Sequence, residues 1–337
     1  MKEYFNKSEI KKILCIKPRG IGDIILSTII LDNLKSYFPS VQIDYLTEEF
    51  AKDAVSTHPL VSKVLTFNKN DKLLSIVKKI RKEKYDLIID LWSNPRTAQL
   101  TFLSGAKYRV GYSYRGRRYA YNIKSDSGRG INHSAEHNLE LLKVIGIPVD
   151  YKNIKFYLDK ESEEFGNSFI NKLDKNKYLI AIIPSGGWES KRCTPTKWVE
   201  ILKSLHSEFD CKFLILWGPE DSDDAKYIVE NSGQDAILAP ETNLKQLAGL
   251  ISKCDLVIAN DSGPMHLAAA LGVPTLGLFG PTDPEKHGPY SEKSDYVIKS
   301  DLHCIICNKL TCPFNKECFN EINIDEIIQK SIKLLKD

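Results

Sequence analysis

The sequence predicts an α/β protein with two parallel sheets, each covered by helices. Short apolar runs typical of buried strands alternate with helical patterns through both halves of the chain. The chain has 337 residues, more than a single hydrophobic core usually organises, so two domains are expected. Two apolar runs also end in glycine-containing turns that lead directly into helices. In open parallel sheets such turns lie at the edge where ligands bind.

Nine strands are predicted from the apolar runs. They are Ile13–Ile16, Gln42–Leu46, Lys63–Phe67, Leu87–Asp90, Tyr178–Ile183, Phe213–Trp217, Ala236–Leu238, Leu256–Ala259 and Thr275–Phe279. Helical patterns separate most of them, which favours parallel pairing. The acidic stretch from Leu158 to Lys177 has little apolar content before its helix and is the best candidate for a domain boundary.

The segment DLVIANDSGPMHLAAALGVPTLGLFGPT, residues 255–282, predicts a strand, a tight turn, a short helix and a second strand. Pro264 suits the first helical turn, with Asp261 or Ser262 as the N-cap. The N–H groups at such a helix start attract a phosphate or sugar hydroxyls, and Gly263 permits close backbone approach. An ordinary capped crossover is the alternative, but Asp261 and His266 flank the turn where packing alone does not require polar groups.

The N-terminal segment has the same order of strand, glycine turn and helix. Its turn carries Gly20, Gly22 and Asp23. The third glycine of the G-x-G-x-x-G fingerprint is absent, so a standard dinucleotide site is excluded. What remains is the Asp23 carboxylate at the ligand-binding edge of a sheet. The alternative is a first-turn acid that only complements the helix dipole.

These two segments, with three between them, resemble the ADP-heptose:lipopolysaccharide heptosyltransferases, glycosyltransferase family nine. The matching stretches are PRGIGDIILSTIILDNLKSYFPSVQIDYLT, YDLIIDLWSNPRTAQLTFLSGAKYRVGY, HNLELLKVIGI, IIPSGGWESKRCTPTKWVEIL and DSGPMHLAAALGVPTLGLFGPTDP. The resemblance implies two Rossmann-like domains facing a cleft, the B-type glycosyltransferase fold. Residues 1–160 would bind the acceptor and residues 161–322 the nucleotide-sugar donor. A final helix, 323–337, is expected to pack back on the first domain.

The resemblance also implies a reaction, the inverting transfer of a heptose from ADP-L-glycero-D-manno-heptose to a lipopolysaccharide inner-core acceptor. Asp23, carried over from the family's turn aspartate, would be the general base. The departing diphosphate needs a metal, cations or a helix N-terminus. No D-x-D metal motif is evident except Asp221-Ser222-Asp223 in a predicted surface loop. Lys191 and the helix start at Ser262 are therefore expected to replace a metal, and no cofactor besides the ADP-sugar substrate is expected.

The resemblance implies further donor-site roles for residues at positions that match the family's motifs. Glu220 corresponds to an acid that binds ribose hydroxyls, with a surface acid as the alternative, and Thr242 falls where backbone meets adenine. His266 is assigned to sugar or phosphate contact, although a core histidine is equally compatible with its place. The chain departs from better-known members at Ser185-Gly186-Gly187, where glycine N–H groups would replace threonine hydroxyls. The donor-binding residues expected are Gly186, Gly187, Lys191, Glu220, Thr242, Asp261, Ser262, Gly263 and His266.

The net charge of +3 is unevenly distributed. Residues 1–150 contain 25 Lys and Arg against 16 Asp and Glu, a net of +9, and residues 151–337 contain 22 against 28, a net of −6. Arginine concentrates in the first half, at Arg96, Arg109, Arg115, Arg117, Arg118 and Arg129. Arginine suits bidentate phosphate contact, and a solvated basic loop is the alternative. No RNA-binding signature is present, so nucleic acid is not an expected partner.

The resemblance implies that the positive charge of the first half binds a phosphorylated glycolipid acceptor at the inner-membrane surface. The acceptor-binding residues expected are Gly22, Arg96, Arg115, Arg117 and Arg118. No apolar stretch is long enough to span a bilayer and the start lacks a signal-peptide core. A cytoplasmic protein that contacts the membrane face peripherally is therefore expected.

Eight cysteines are present, but a disulfide framework is not expected in such a chain. Cys304, Cys307, Cys312 and Cys318 form C-x2-C-x4-C-x5-C, a set that could hold a structural zinc ion or iron-sulfur cluster away from the reaction centre. Two other functions stay open. One is the same fold acting on another nucleotide sugar or glycan, and the other is a catalytically silent sugar-nucleotide-binding protein.

Overall fold

A computed structural model describes residues 7–128, 130–173 and 177–336. The chain forms two compact units, Met1–Tyr157 and Leu158–Asp337. Each unit contains one six-stranded sheet in which every pairing is parallel. In the part of the chain so described, no helix combines the length and apolar character that crossing a bilayer requires.

The first unit alternates strands with helices. Its strands are β1 (Lys12–Ile16), β2 (Gln42–Glu48), β3 (Lys63–Phe67), β4 (Leu87–Asp90), β5 (Tyr108–Tyr112) and β6 (Ile123–Ser125). Its helices are α1 (Ile21–Ser27), α2 (Ile29–Tyr37), α3 (Leu73–Glu83), α4 (Pro95–Leu103) and α5 (Ser134–Val144). The strand order is β3-β2-β1-β4-β5-β6.

The second unit repeats this plan. Its strands are β7 (Tyr178–Ile183), β8 (Cys211–Ile215), β9 (Ala236–Leu238), β10 (Leu256–Asn260), β11 (Thr275–Phe279) and β12 (Ser294–Ile298). Its helices are α6 (Lys160–Ile170), α7 (Pro195–Glu208), α8 (Ser222–Asn231), α9 (Leu244–Ile251), α10 (Gly263–Ala270), α11 (Pro284–His287), α12 (Glu317–Asn320) and α13 (Ile324–Lys336). The strand order is β12-β11-β10-β7-β8-β9. When the strands are numbered from the start of each unit and this order is read backwards, it is the same as that of the first sheet.

This order places one crevice in each unit. The first strand of each unit, β1 or β7, lies between the second and fourth strands, so the chain changes direction across the sheet at that point. The loops that leave the two central strands there diverge and open a crevice at their carboxyl ends. In the first unit these loops follow β1 and β4, and in the second they follow β7 and β10.

All nine predicted strands are present, with boundaries shifted by at most two residues. Three strands were missed, β5, β6 and β12, and they lie at or next to the sheet edges. Each contains a charged residue among its apolar ones, at Arg109, Lys124 and Asp295. Strands near an edge are partly solvated, so they lack the continuous apolar run that identifies a central strand.

The last helix packs on the sheet of the second unit. Ile327, Ile328 and Leu334 of α13 are buried in the core cluster of that unit, together with Ile258 and Leu276. The apolar stripe of α13 covers strands β10, β11 and β12 on one face of their sheet. The expected packing of residues 323–337 on the first domain stays a prediction.

Candidate functional site

The turn after β1 presents Asp23 at the crevice of the first unit. Gly20, the N-cap of α1, has φ of 80°, a left-handed conformation that favours glycine. A Cβ on Gly20 would also overlap the Asp23 carboxylate oxygen Oδ2. The Asp23 side chain is 45% exposed, and its Oδ1 lies 3.8 Å from the Nζ of Lys17, a buried lysine. The turn thus holds a carboxylate that a ligand can reach.

The turn after β4 forms the other wall of this crevice. Ser93 is buried with φ of 49°, an uncommon conformation for a residue with a Cβ. The Asp90 carboxylate stabilises this turn, because Oδ1 accepts hydrogen bonds from the N–H groups of Ser93 and Trp92, and Oδ2 accepts one from the Tyr121 hydroxyl. Burial raises the pKa of Asp90. The Trp92 ring lies 5.0 Å from the Lys17 ammonium, so the turn delivers an aromatic face to the crevice.

The predicted acceptor-binding residues differ in their exposure and in their distance from the crevice. Arg117 donates to the Ser93 carbonyl at 3.2 Å and lies over the Tyr114 ring, so it borders the crevice. Arg115 and Arg118 are exposed on the same loop. Gly22 is buried in the first turn of α1. Arg129 lies outside the described residues.

Arg96 has a structural task. Its guanidinium donates to the carbonyls of Lys69 and Asp71 and lies 5.0 Å from the centre of the Phe67 ring. These contacts fix the loop after β3. Because the guanidinium is engaged there, Arg96 is a weaker candidate for phosphate contact than Arg117.

The turn after β10 brings together residues predicted from the sequence. The Lys191 ammonium lies 2.6 Å from Asp261 Oδ2, and the Thr282 hydroxyl donates to the same oxygen at 2.6 Å. The Lys191 ammonium is also 4.3 Å from the centre of the Trp188 ring. Gly186 packs against Lys191, where a Cβ would come within 3.1 Å of the lysine Cβ. The segment that follows the glycine turn after β7 is therefore joined by an ion pair to the turn after β10.

Two polar atoms beside this ion pair have no hydrogen-bond partner among the residues that the structure describes. They are Asn260 Oδ1 and Ser262 Oγ, both buried. Asn260 is fully buried and uses its Nδ2 to donate to the Pro184 carbonyl at 2.6 Å. Buried polar atoms in native proteins are nearly always paired. Their position at the start of α10, whose N–H groups and dipole favour anions, indicates a polar ligand there.

The remaining predicted donor residues lie on the segments that follow β7, β9 and β10. Thr242 directly precedes Asn243, the N-cap of α9. His266 is buried within α10, and Gly263 begins that helix. Gly187 is exposed, with open space where a Cβ would be. These residues surround the carboxyl ends of β7, β9 and β10.

Sequence reasoning overlooked Arg192 and placed Asp221 in a surface loop, but Asp221 is only 8% exposed and is the N-cap of α8. The Arg192 guanidinium lies 2.8 Å from Asp221 Oδ1 and donates to the Gly186 carbonyl at 3.0 Å. Burial raises the pKa of Asp221. Glu220, predicted to bind ribose, is 90% exposed and lies 3.9 Å from the same guanidinium. No sequence signal distinguishes the two adjacent acids, whose difference is one of burial.

The four clustered cysteines line one small cavity of about 30 Å³ with Gly280, Pro281 and Phe314. Burial raises the pKa of Cys318 to about 12. Within residues 7–128, 130–173 and 177–336, no three His, Cys, Asp or Glu side chains are arranged to hold a metal ion. The suggestion of a structural metal here rests on the cysteine spacing alone.

Comparison with known proteins identifies the family. Residues 73–317 match the model of glycosyltransferase family 9 (heptosyltransferase). Lipopolysaccharide heptosyltransferase 1 of Campylobacter coli is 26% identical over 348 residues, covering 97% of this chain and 99% of the relative.

Two solved structures show the fold. A family 9 glycosyl transferase from Veillonella parvula has a TM-score of 0.87 at 23% identity, covering 98% of each chain. Heptosyltransferase WaaC of Escherichia coli, solved with ADP, has a TM-score of 0.73 at 19% identity, covering 96% of this chain and 99% of WaaC. The predicted fold class, two Rossmann-like domains of the B-type glycosyltransferase fold, is confirmed.

Proposed function

This chain belongs to glycosyltransferase family 9 (heptosyltransferase), and we propose that it transfers a heptose from ADP-L-glycero-D-manno-heptose to a lipopolysaccharide inner-core acceptor. The observation that carries the proposal is the pair of equivalent crevices, one with an accessible carboxylate at Asp23 and one with a cation and a helix start at Lys191 and Ser262. The names of the Campylobacter coli relative and of the ADP-bound Escherichia coli structure support the choice of acceptor and donor.

The second unit binds the donor. The diphosphate lies at the start of α10, where the backbone N–H groups, the Ser262 hydroxyl and the Lys191 ammonium stabilise its charge. Asp261 holds this ammonium in place, since the two are 2.6 Å apart. Negative charge grows on the leaving ADP as the glycosidic bond breaks, so these donors stabilise the transition state more than the ground state. No metal ion is needed in this scheme.

The first unit binds the acceptor, a phosphorylated glycolipid presented at the cytoplasmic face of the inner membrane. Arg115, Arg117 and Arg118 supply the positive charge. An acceptor hydroxyl donates its hydrogen bond to Asp23, which takes the proton as the oxygen bonds to the anomeric carbon. ADP departs with the electrons of the broken bond. A single displacement of this kind inverts the configuration at the anomeric carbon.

The first test is calorimetric titration of the purified protein with ADP, UDP, GDP and CMP in the presence of a chelator. We expect selective binding of ADP. Selective binding of UDP or GDP would retain the transferase and discard the heptose donor. Failure to bind any of the four would overturn the donor site and favour a different role for the fold.

One observation favours another donor sugar as a second candidate. The turn Ser185-Gly186-Gly187 lacks hydroxyl side chains after Ser185, and Gly187 has open space beside its Cα. A site with fewer fixed donors discriminates less strongly between sugars. A panel of ADP-linked sugars in a transfer assay separates the candidates, with preference for ADP-heptose expected.

A further inference from the structure

We infer that Lys17 is a positioning residue that fixes the carboxylate of Asp23 for proton transfer. The inference rests on the proposed role of Asp23 as the general base. Lys17 directly follows β1, at the carboxyl end of the first sheet, and is only 6% exposed. Its ammonium lies 3.8 Å from Asp23 Oδ1. A buried ammonium is stable only with polar and anionic neighbours, and Asp23 supplies such a charge.

Three groups from two elements hold the Lys17 ammonium in place. It donates to the Leu91 carbonyl at 3.4 Å, in the turn after β4, and to Asn138 Oδ1 at 3.5 Å, on α5. The Trp92 ring lies 5.0 Å away and contributes a cation–π contact. The Asn138 amide is itself oriented, because its Nδ2 donates to the carbonyls of Ser134 and Ala135. The ammonium is therefore a fixed point of the core.

Gly20 restricts Asp23 from the other side. Oδ2 of Asp23 occupies the space that a Cβ on Gly20 would fill. One carboxylate oxygen thus faces Lys17 and the other lies over a backbone that has no side chain. At 3.8 Å the ammonium attracts the carboxylate without a close hydrogen bond to it. Asp23 therefore keeps lone pairs available to an acceptor hydroxyl.

This arrangement should matter for turnover more than for donor binding. Proton transfer requires a carboxylate oxygen within hydrogen-bond reach of the hydroxyl, and a displacement of about 1 Å can lower a rate about 100-fold. Removing the Lys17 charge frees Asp23 to adopt other rotamers. The donor-binding residues lie on loops of the other unit, so their affinity for ADP should not change.

The test is a double-mutant cycle with Lys17→Met, Asp23→Ala and the double variant. Product is quantified by mass spectrometry over long incubations so that slow residual turnover is measured. We expect Lys17→Met to lower kcat by about 10- to 100-fold, with ADP affinity unchanged. In the Asp23→Ala background the same substitution should change kcat less than twofold, because Lys17 acts through Asp23. Lys107→Met is the matched control, since Lys107 is 65% exposed and pairs with Glu9.

The outcomes separate the inference from the proposed function. Equal losses from Lys17→Met in both backgrounds, or no loss in either, would overturn the positioning role while leaving Asp23 as base. Full turnover of Asp23→Ala would overturn the proposed base itself. If Lys17→Met does not fold, as judged by its thermal unfolding, Asn138→Ala replaces it in the same cycle. That variant loosens Lys17 and keeps its charge, and we expect a kcat loss of about two- to tenfold that disappears without Asp23.

Discussion

The two crevices share one topology and differ in how they arrange charge. In the first unit the carboxylate of Asp23 is 45% exposed and the ammonium of Lys17 is buried. In the second unit both partners are sheltered, Lys191 at 14% and Asp261 at 8%, and they are 2.6 Å apart. An exposed carboxylate beside a buried cation suits a base that must meet a hydroxyl. A sheltered pair beside a helix start suits the binding of an anion. Strand order therefore fixes where a ligand binds, and side chains decide what chemistry follows.

The largest effect is expected from replacing Asp23, which tests whether the first crevice supplies the general base. Asp23→Ala removes the base and should lower kcat by about 10²- to 10⁴-fold. ADP affinity should stay unchanged, because the donor residues belong to the second sheet. Steady-state kinetics with ADP-heptose and a lipopolysaccharide acceptor, together with calorimetry, measure both quantities.

A matched control for this variant is Asp71→Ala. Asp71 lies in the loop after β3, where its carboxylate accepts a hydrogen bond from the Asn68 N–H. Normal turnover is expected of this variant. If Asp23→Ala instead weakens ADP binding and keeps kcat, the assignment of the base to the first crevice and of donor binding to the second is wrong.

The second prediction concerns acid stability of the first unit. Burial lowers the pKa of His58 to about 4, from 6.5 in the unfolded chain. Between these values the unfolded state binds more protons, so stability falls as pH falls from about 6.5 to 4. The loss should reach about 3 kcal/mol. Denaturant unfolding at several pH values measures it.

The variant His58→Gln sharpens this test. Gln cannot titrate but can accept the hydrogen bond that the Leu60 N–H gives to His58 Nδ1. It should therefore reduce the slope of stability against pH in this window. An identical slope in the variant would show that other groups, and not His58, cause the acid loss.

The third prediction concerns the anion-binding half. Lys191→Met removes the ammonium beside the helix start and should weaken ADP binding about 10- to 100-fold, the range for a hydrogen bond to a charged group. Binding by the wild-type protein should also weaken with salt, and that dependence should be smaller in the variant. Lys226→Met is the control, because Lys226 is 56% exposed and pairs with Asp223 on the surface. Equal losses in both variants would indicate general electrostatics in place of a local contact.

Much of the fold could be predicted because it depends on local patterns. The central strands β1, β4, β7 and β10 are continuous apolar runs. The turns at Gly20 and Gly263 are marked in the sequence by their glycines. The strands β5, β6 and β12, which lie at or next to the sheet edges, could not be recognised in this way, since each is partly solvated and contains a charged residue.

The candidate site could be proposed from the sequence where its residues stand in recognisable turns or in segments that resemble the family. Asp23, Asp261 and Ser262 stand in such turns, and Lys191 lies in such a segment. Lys17 was missed because the position of its ammonium depends on a contact with Asn138, 121 positions away. Arg96 was assigned to phosphate because its side chain suits that ion, whereas the loop 68–71, about 25 residues earlier, engages it. Contacts over such separations leave no periodic signal.

The smallest expected effect decides between two adjacent acids of the second unit. Glu220 is 90% exposed, so a hydrogen bond that its carboxylate accepts from a ribose hydroxyl would contribute only about 0.5–1.5 kcal/mol. Glu220→Gln should therefore weaken ADP binding by about two- to tenfold, as measured by calorimetry, whereas Glu230→Gln on α8 should leave it unchanged. If Glu220→Gln has no effect and Asp221→Asn weakens binding, the ribose contact belongs to the buried acid beside Arg192. Burial, and not the order of residues in the chain, would then determine which carboxylate meets the donor.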